Sequence, residues 1–289
     1  MSDRTRVVGI VTYLVLAFGI AWGSWELLLP AGLTSQTLFS LYALPGAFAP
    51  ALATFIVRKW ITREGFADAG LALNLAKWRY YLIAWFLPFL GIGFIIVCAP
   101  LLGFGHPDFS LAHLGPRAKL PHALGGLNIV VVTMVSLTVT ALLATPVLFG
   151  EEFGWRGYLQ LRLFPGRPTL AAIVTGIIWG AWHWPAIVRG YEFGGDPMIV
   201  TGAFCVGAVL SSIIFGWLRE KTGSVWATSL AHSATNAIGG SVTALWFPDR
   251  SDWIYVSYLG VLGWIPLALV CALILAGRAR HSSPAMASA

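Results

Sequence analysis

Leu127-Asn128-Ile129-Val130-Val131-Val132-Thr133-Met134-Val135-Ser136-Leu137-Thr138-Val139-Thr140-Ala141-Leu142-Leu143-Ala144-Thr145-Pro146-Val147-Leu148-Phe149 carries no charged side chain. It runs straight into Gly150-Glu151-Glu152-Phe153-Gly154-Trp155-Arg156-Gly157-Tyr158. An apolar run of this length reads as a membrane-crossing helix. Two adjacent carboxylates at its end are another matter, because an acidic group at the centre of such a helix costs roughly 2.5–3.5 kcal/mol on insertion scales. A site that uses the charge would offset that cost.

The rest of the chain repeats the apolar pattern. Mean hydropathy is +0.77, and only 10% of residues are charged while 57% are hydrophobic. A soluble domain carries about 25% charge, and a β-barrel would show short alternating segments instead. The expectation is an all-α polytopic membrane protein with about eight transmembrane helices. The spans read as Val7–Leu29, Leu38–Val57, Tyr80–Phe104, Leu127–Phe149, Thr169–Val188, Met198–Leu218, Ser224–Trp246 and Trp253–Ala276. The first is too long and uninterrupted for a cleaved signal peptide and reads as a retained anchor. Residues 1–276 form one helical domain on this reading, and the small, polar stretch 277–289 is a disordered tail.

Charge fixes the expected orientation. Arg117, Lys119, Arg189 and Arg250 fall on one side of the spans, and the remaining Lys and Arg, of 18 in all, fall on the other. By the positive-inside rule both termini are cytoplasmic, in the plasma membrane if the source is prokaryotic. The net charge of +6 is explained by this asymmetry, with the lipid bilayer as partner and no basic run dense enough for nucleic acid. The loop from about Arg58 to Arg79 mixes Trp60, Phe66, Leu71, Leu73, Leu75 and Trp78 with basic residues, a pattern suited to a segment lying at the interface. Cys98, Cys205 and Cys271 fall in spans, and their spacing fits neither disulfides nor a metal site.

The informative residues are polar groups at membrane depth. His183 stands in Ile178-Trp179-Gly180-Ala181-Trp182-His183-Trp184-Pro185, while His232 and Asn236 are four apart and so share a helical face. His106, His113, His122 and His281 lie in loops or the tail. Each membrane histidine alone would serve as an interhelical hydrogen-bonding group. Two of them, an Asn and a Glu pair confined to three spans point to a site. Depth sets a condition, because a helix ending at Phe149 would leave Glu151 at the surface. Phe153, Trp155, Tyr158, Leu159, Leu161, Leu163 and Phe164 prolong the apolar pattern. A helix extended to about Phe164 sinks Glu151 by about 20 Å, into a cytoplasm-facing cavity shared with both histidines.

Neighbours on a helix point about 100° apart, so the two carboxylates take different parts. Glu152 and Arg156 make a favourable i,i+4 pair and read as the structural unit at the site. Glu151 is left to face the cavity. A carboxylate beside an imidazole can take a proton from water, and a His–Asn face can donate to a developing oxyanion, which suits amide hydrolysis.

The set Glu151-Glu152-x-x-x-Arg156, then Trp179 with His183, then His232-x-x-x-Asn236 resembles the CPBP family. These are the CAAX prenyl endopeptidases and bacteriocin-processing intramembrane proteases, also called the type II CAAX protease or ABI family. Gly157 and Tyr158 fit the first motif, whereas Trp179 stands where the CAAX enzymes usually carry Phe. The resemblance rests on 151–236. It implies an intramembrane endopeptidase acting on a membrane-associated peptide or protein, with Glu151 activating water, His183 assisting, and His232 and Asn236 stabilising the oxyanion. Glu151, His183 and His232 could instead ligate zinc with water in the fourth position, although there is no His-Glu-x-x-His motif. Direct activation of water is the preferred expectation, with zinc as its alternative. A proton-coupled carrier using the same groups, or a non-catalytic immunity or scaffold protein, are the competing functions. No paired half-repeats of the kind transporters show are visible.

Overall fold

A computed structural model of the chain describes residues 2–30, 36–111, 126–190, 195–247, 249 and 253–282. Among the described residues every regular element is helical. Helix α1 spans Asp3–Leu28, opened by Ser2, whose hydroxyl accepts from the Thr5 amide. Helix α2 runs Gln36–Ala47, breaks at Phe48, resumes over Ala49–Ile56 and ends in a π turn, Val57–Ile61. Pro50, at the start of the resumed segment, needs no backbone N–H there. Helix α3 is Trp78–Leu102 and stops at Gly103, whose φ of 76° suits only a residue without Cβ.

Helix α4 begins at Gly126 and does not end at Phe149. It is α-helical to Gly154, passes through a π turn at Trp155–Leu159 and finishes at Arg162. The extension of this helix past Glu151 expected from the sequence therefore forms, two residues short of Phe164. Thr140 and Thr145 turn their hydroxyls back onto the carbonyls of Ser136 and Ala141, both at 2.9 Å. The Ala141 carbonyl, beside Pro146, also accepts from Ser233 Oγ at 2.6 Å, which pins the neighbouring chain at this height.

Helix α5, Pro168–Trp182, is followed by a short turn at Trp184–Ile187. Helix α6, Pro197–Thr222, is capped by Asp196 at its start and Gly223 at its end. Helix α7 is Val225–Ala234, then a π segment Thr235–Gly240, then Ser241–Trp246. Helix α8 is Val261–Ser282.

Helices thus occur at each predicted span, but six of them are long and apolar enough to cross a membrane. Helix α5 is shorter, with 15 residues, and α7, interrupted by His232, Asn236 and several Ser and Thr, falls outside that class. The fold is an all-α, multi-pass membrane architecture. The tail expectation is corrected at its start: α8 continues through Gly277 to Ser282, where Arg278 is held by Glu220 and Thr169. The rest of the tail, His113, His122, Arg117, Lys119 and Arg250 lie outside the described residues.

Packing concentrates around α4. It lies against α2 and α7, α5 packs along α6, and α1 lies against α2. Helix α1 buries one stripe, Gly9, Tyr13, Ala17, Ala21 and Trp25, whose small members let it approach closely. Its crossing with α5 is tied by Trp22 Nε1 donating to the Trp182 carbonyl and Trp182 Nε1 donating to that of Ala17, at 2.9 and 3.2 Å. The outer faces stay apolar and exposed, as at Val135, Leu143 and Leu273, which suits contact with lipid. The loop after α2 is irregular, with Trp60, Leu71, Leu73 and Trp78 exposed, beside a lock of charges at the end of α4. There Arg58, fully buried, donates to Gly157 O, Gly65 O and Asp68 Oδ1 at 2.7, 2.8 and 2.8 Å. Arg162 pairs with Glu64 and with the other oxygen of Asp68.

Candidate active site

The site forms where α4, α5 and α7 meet, and one tryptophan sits at its centre. Trp179 donates its indole N–H to Glu151 Oε2 at 2.8 Å. Trp155, one turn beyond Glu151, directs a second indole N–H at the same oxygen from 3.4 Å. The ring of Trp179 meets His232 edge to face at 5.0 Å and His183 at 5.7 Å. The Arg156 guanidinium lies 5.0 Å from the Trp179 ring and 5.0 Å from that of Phe215.

Local helix geometry explains how His183 is fixed. Helix α5 ends beside Pro185, and the His183 amide bonds to the Gly180 carbonyl at 3.2 Å rather than to Trp179. The Trp179 carbonyl is thereby left to the imidazole, whose Nδ1 lies 2.8 Å away. A carbonyl can only accept, so the ring proton is on Nδ1 and the lone pair on Nε2.

His232 is fixed in the same sense by a different partner. Its Nδ1 lies 3.0 Å from Glu152 Oε1, and a carboxylate oxygen again calls for a proton on Nδ1. Glu152 Oε1 also accepts from Arg156 Nη1 at 2.8 Å, so one oxygen holds both neighbours. The expected Glu152–Arg156 pair forms, with both side chains wholly buried. The sequence reading missed that Glu152 reaches across to α7 as well, because i,i+4 spacing speaks only of its own helix. It also took Trp179 as a motif aromatic without seeing a hydrogen-bond donor.

Of the two carboxylates, Glu151 keeps 6% exposure and Glu152 none. His183 and His232 are 6% and 2% exposed. The α-helical register of α7 changes to π at Thr235, and Asn236, within that segment, is exposed. The zinc alternative has weak support in the donor set. Among the described residues no three His, Cys, Asp or Glu side chains are grouped so as to hold a metal ion, and two indoles occupy one oxygen of Glu151.

Among curated proteins, none matches the chain. Residues 132–238 match the family model described as type II CAAX prenyl endopeptidase Rce1-like. That segment contains Glu151, Glu152, Arg156, Trp179, His183, His232 and Asn236. It runs from the apolar half of α4 to the π segment of α7, so the matched region and the assembled site coincide. Over this segment the chain is similar to the type II CAAX prenyl endopeptidases of the Rce1-like family.

Proposed function

We propose that this protein hydrolyses a peptide bond in a membrane-associated peptide or protein by direct activation of water at Glu151. The observation that carries the reading is the shared orientation of His183 and His232 around Trp179, each with Nδ1 bonded to a fixed oxygen. That arrangement fixes the orientation of both rings through Nδ1.

In the proposed reaction the Glu151 carboxylate takes a proton from water as the water oxygen bonds to the scissile carbonyl carbon, with His183 orienting that water. The carbonyl π electrons pass to oxygen. His232 and Asn236 are assigned to that oxyanion as hydrogen-bond donors, with the His232 ring held by Glu152. Collapse breaks the C–N bond, and the proton held by Glu151 goes to the departing amine. Glu152 and Arg156 carry no proton in this scheme. The cavity is taken to open to the cytoplasm, with both termini on that side, and the domain to comprise residues 1–276.

The test is cleavage of membrane-associated peptides by purified protein in lipid nanodiscs. Glu151→Gln and His232→Ala are expected to lose at least about a hundredfold in kcat, as loss of a general base or an oxyanion donor does. Incubation with a strong chelator should leave the rate unchanged. Equal cleavage by wild type and Glu151→Gln would end the reading. Loss on chelation that added zinc restores would replace it by the metal alternative.

A further inference from the structure

Residues 62–74 join two helical stretches, Leu38–Ile61 and Leu75–Leu102, each long and apolar enough to cross a membrane. A link between two such spans lies at one membrane surface. This link is tied to the protein through its backbone. The Gly70 carbonyl accepts from the Val225 amide and the Leu71 carbonyl from Trp226 Nε1, both at 2.9 Å. Asn74, in the left-handed region at φ 51°, donates through Nδ2 to the Thr222 carbonyl at 2.9 Å. Arg219 Nη2 donates to the Asp68 carbonyl at 2.6 Å, and the Tyr81 hydroxyl donates to that of Leu73. The link thus clasps the junction of α6 with α7, the helix that carries His232.

Held in this way, it still leaves large apolar side chains in the open. Leu71, Leu73 and Leu75 are 44, 49 and 63% exposed, and Trp60 and Trp78 each 57%. Leucines flanked by tryptophans at the ends of two spans fit the boundary between headgroups and acyl chains. Charge points the same way. Lys59, Arg63, Lys77 and Arg79 are exposed, and none has an ion-pair partner among the described residues. The carboxylates of the link, Glu64 and Asp68, are already taken by Arg58 and Arg162. What stays open is cationic and apolar at once, the complement of an anionic phospholipid. We infer that residues 59–79 form a seat for anionic lipid of the surrounding bilayer. The leucines enter the upper acyl region and the four basic side chains meet the phosphates. Lipid charge then steadies the α6–α7 junction, whether or not a peptide is cleaved at Glu151.

Nanodiscs of phosphatidylcholine, alone or mixed with phosphatidylglycerol, provide the probe. The wild-type melting temperature should rise by a few degrees in the anionic discs, and high salt should shrink the rise. The variant Lys59→Gln/Arg63→Gln/Lys77→Gln/Arg79→Gln should lose it. Each protein is compared with itself in the two bilayers, so a general weakening of the variant cancels. No rise in wild type, or an equal rise in the variant, overturns the seat. A second measurement keeps all four charges. A nitroxide on Leu73→Cys, with Cys98, Cys205 and Cys271 replaced by Ala, reports collisions with oxygen, which concentrates in lipid, and with a nickel chelate, which stays in water. Oxygen should dominate. Dominance of nickel would leave the leucines in water, as a docking face for protein, and would equally overturn the inference.

Discussion

Glu152 Oε1 receives His232 Nδ1 at 3.0 Å and Arg156 Nη1 at 2.8 Å, so a single carboxylate oxygen joins helices α4 and α7. Removing it would strand a guanidinium that has no exposure at all. Glu152→Ala and Arg156→Ala are therefore each expected to cost about 3–5 kcal/mol, the usual penalty for breaking a buried pair from one side. Thermal unfolding of the purified protein measures this. Arg156→Lys should recover little, because a compact ammonium cannot reproduce the planar contacts with Trp179 and Phe215. Full stability with lost activity in Arg156→Ala would move Arg156 into the substrate-binding set.

Trp179→Phe separates the ring from its donor. The phenyl keeps the packing against both histidines, and only the 2.8 Å bond to Glu151 goes. A hydrogen bond to a charged group contributes about 1.5–3 kcal/mol. Trp155 stays in place as a weaker donor, so the expected fall in kcat is about tenfold, with the protein still folded. Peptide cleavage beside a melting curve reads both quantities.

Gly154→Ala tests the crossing of α1, α2 and α4. The added methyl would meet the Pro50 side chain at 2.3 Å and its backbone carbon at 2.9 Å, and neither can swing aside. Overpacking of this kind costs about 1–3 kcal/mol or more. Gly93 offers the control, since nothing lies within 4 Å of a Cβ there. The first variant should lose yield and melt earlier, and the second should not.

The charge lock beyond the end of α4 gives a pH signature. Partial burial pushes the Asp68 carboxyl up, but its bonds to Arg58 and Arg162 outweigh this and hold it below the usual carboxylate range. A carboxyl depressed on folding stabilises above its unfolded pKa and loses that contribution as pH falls through the folded value. Melting temperature should hold from pH 7 to about 5 and drop below about 4. Asp68→Asn should melt slightly earlier at pH 7 and show a shallower acid decline.

Much of this was legible from residue spacing. Apolar runs gave the helices, and the aromatic pattern after Glu151 gave the extension of α4 into the fold. Glu152 and Arg156 could be paired because i,i+4 neighbours on a helix meet whatever surrounds them. What escaped depends on contacts between helices or on departures from 3.6 residues per turn. Trp179 as a donor and Glu152 as the support of His232 both join distant parts of the chain. The π segment that carries Asn236 was likewise invisible to an α-helical period.

The brevity of α5 reaches beyond the protein itself. Fifteen residues rise about 22 Å, against roughly 30 Å of hydrocarbon, and the helix ends at tryptophans beside His183. A bilayer meeting so short a stave would thin locally, drawing headgroups and their hydration toward the ring. The proposed hydrolysis consumes water, and lipid pinched at this one helix would shorten the distance that water has to travel.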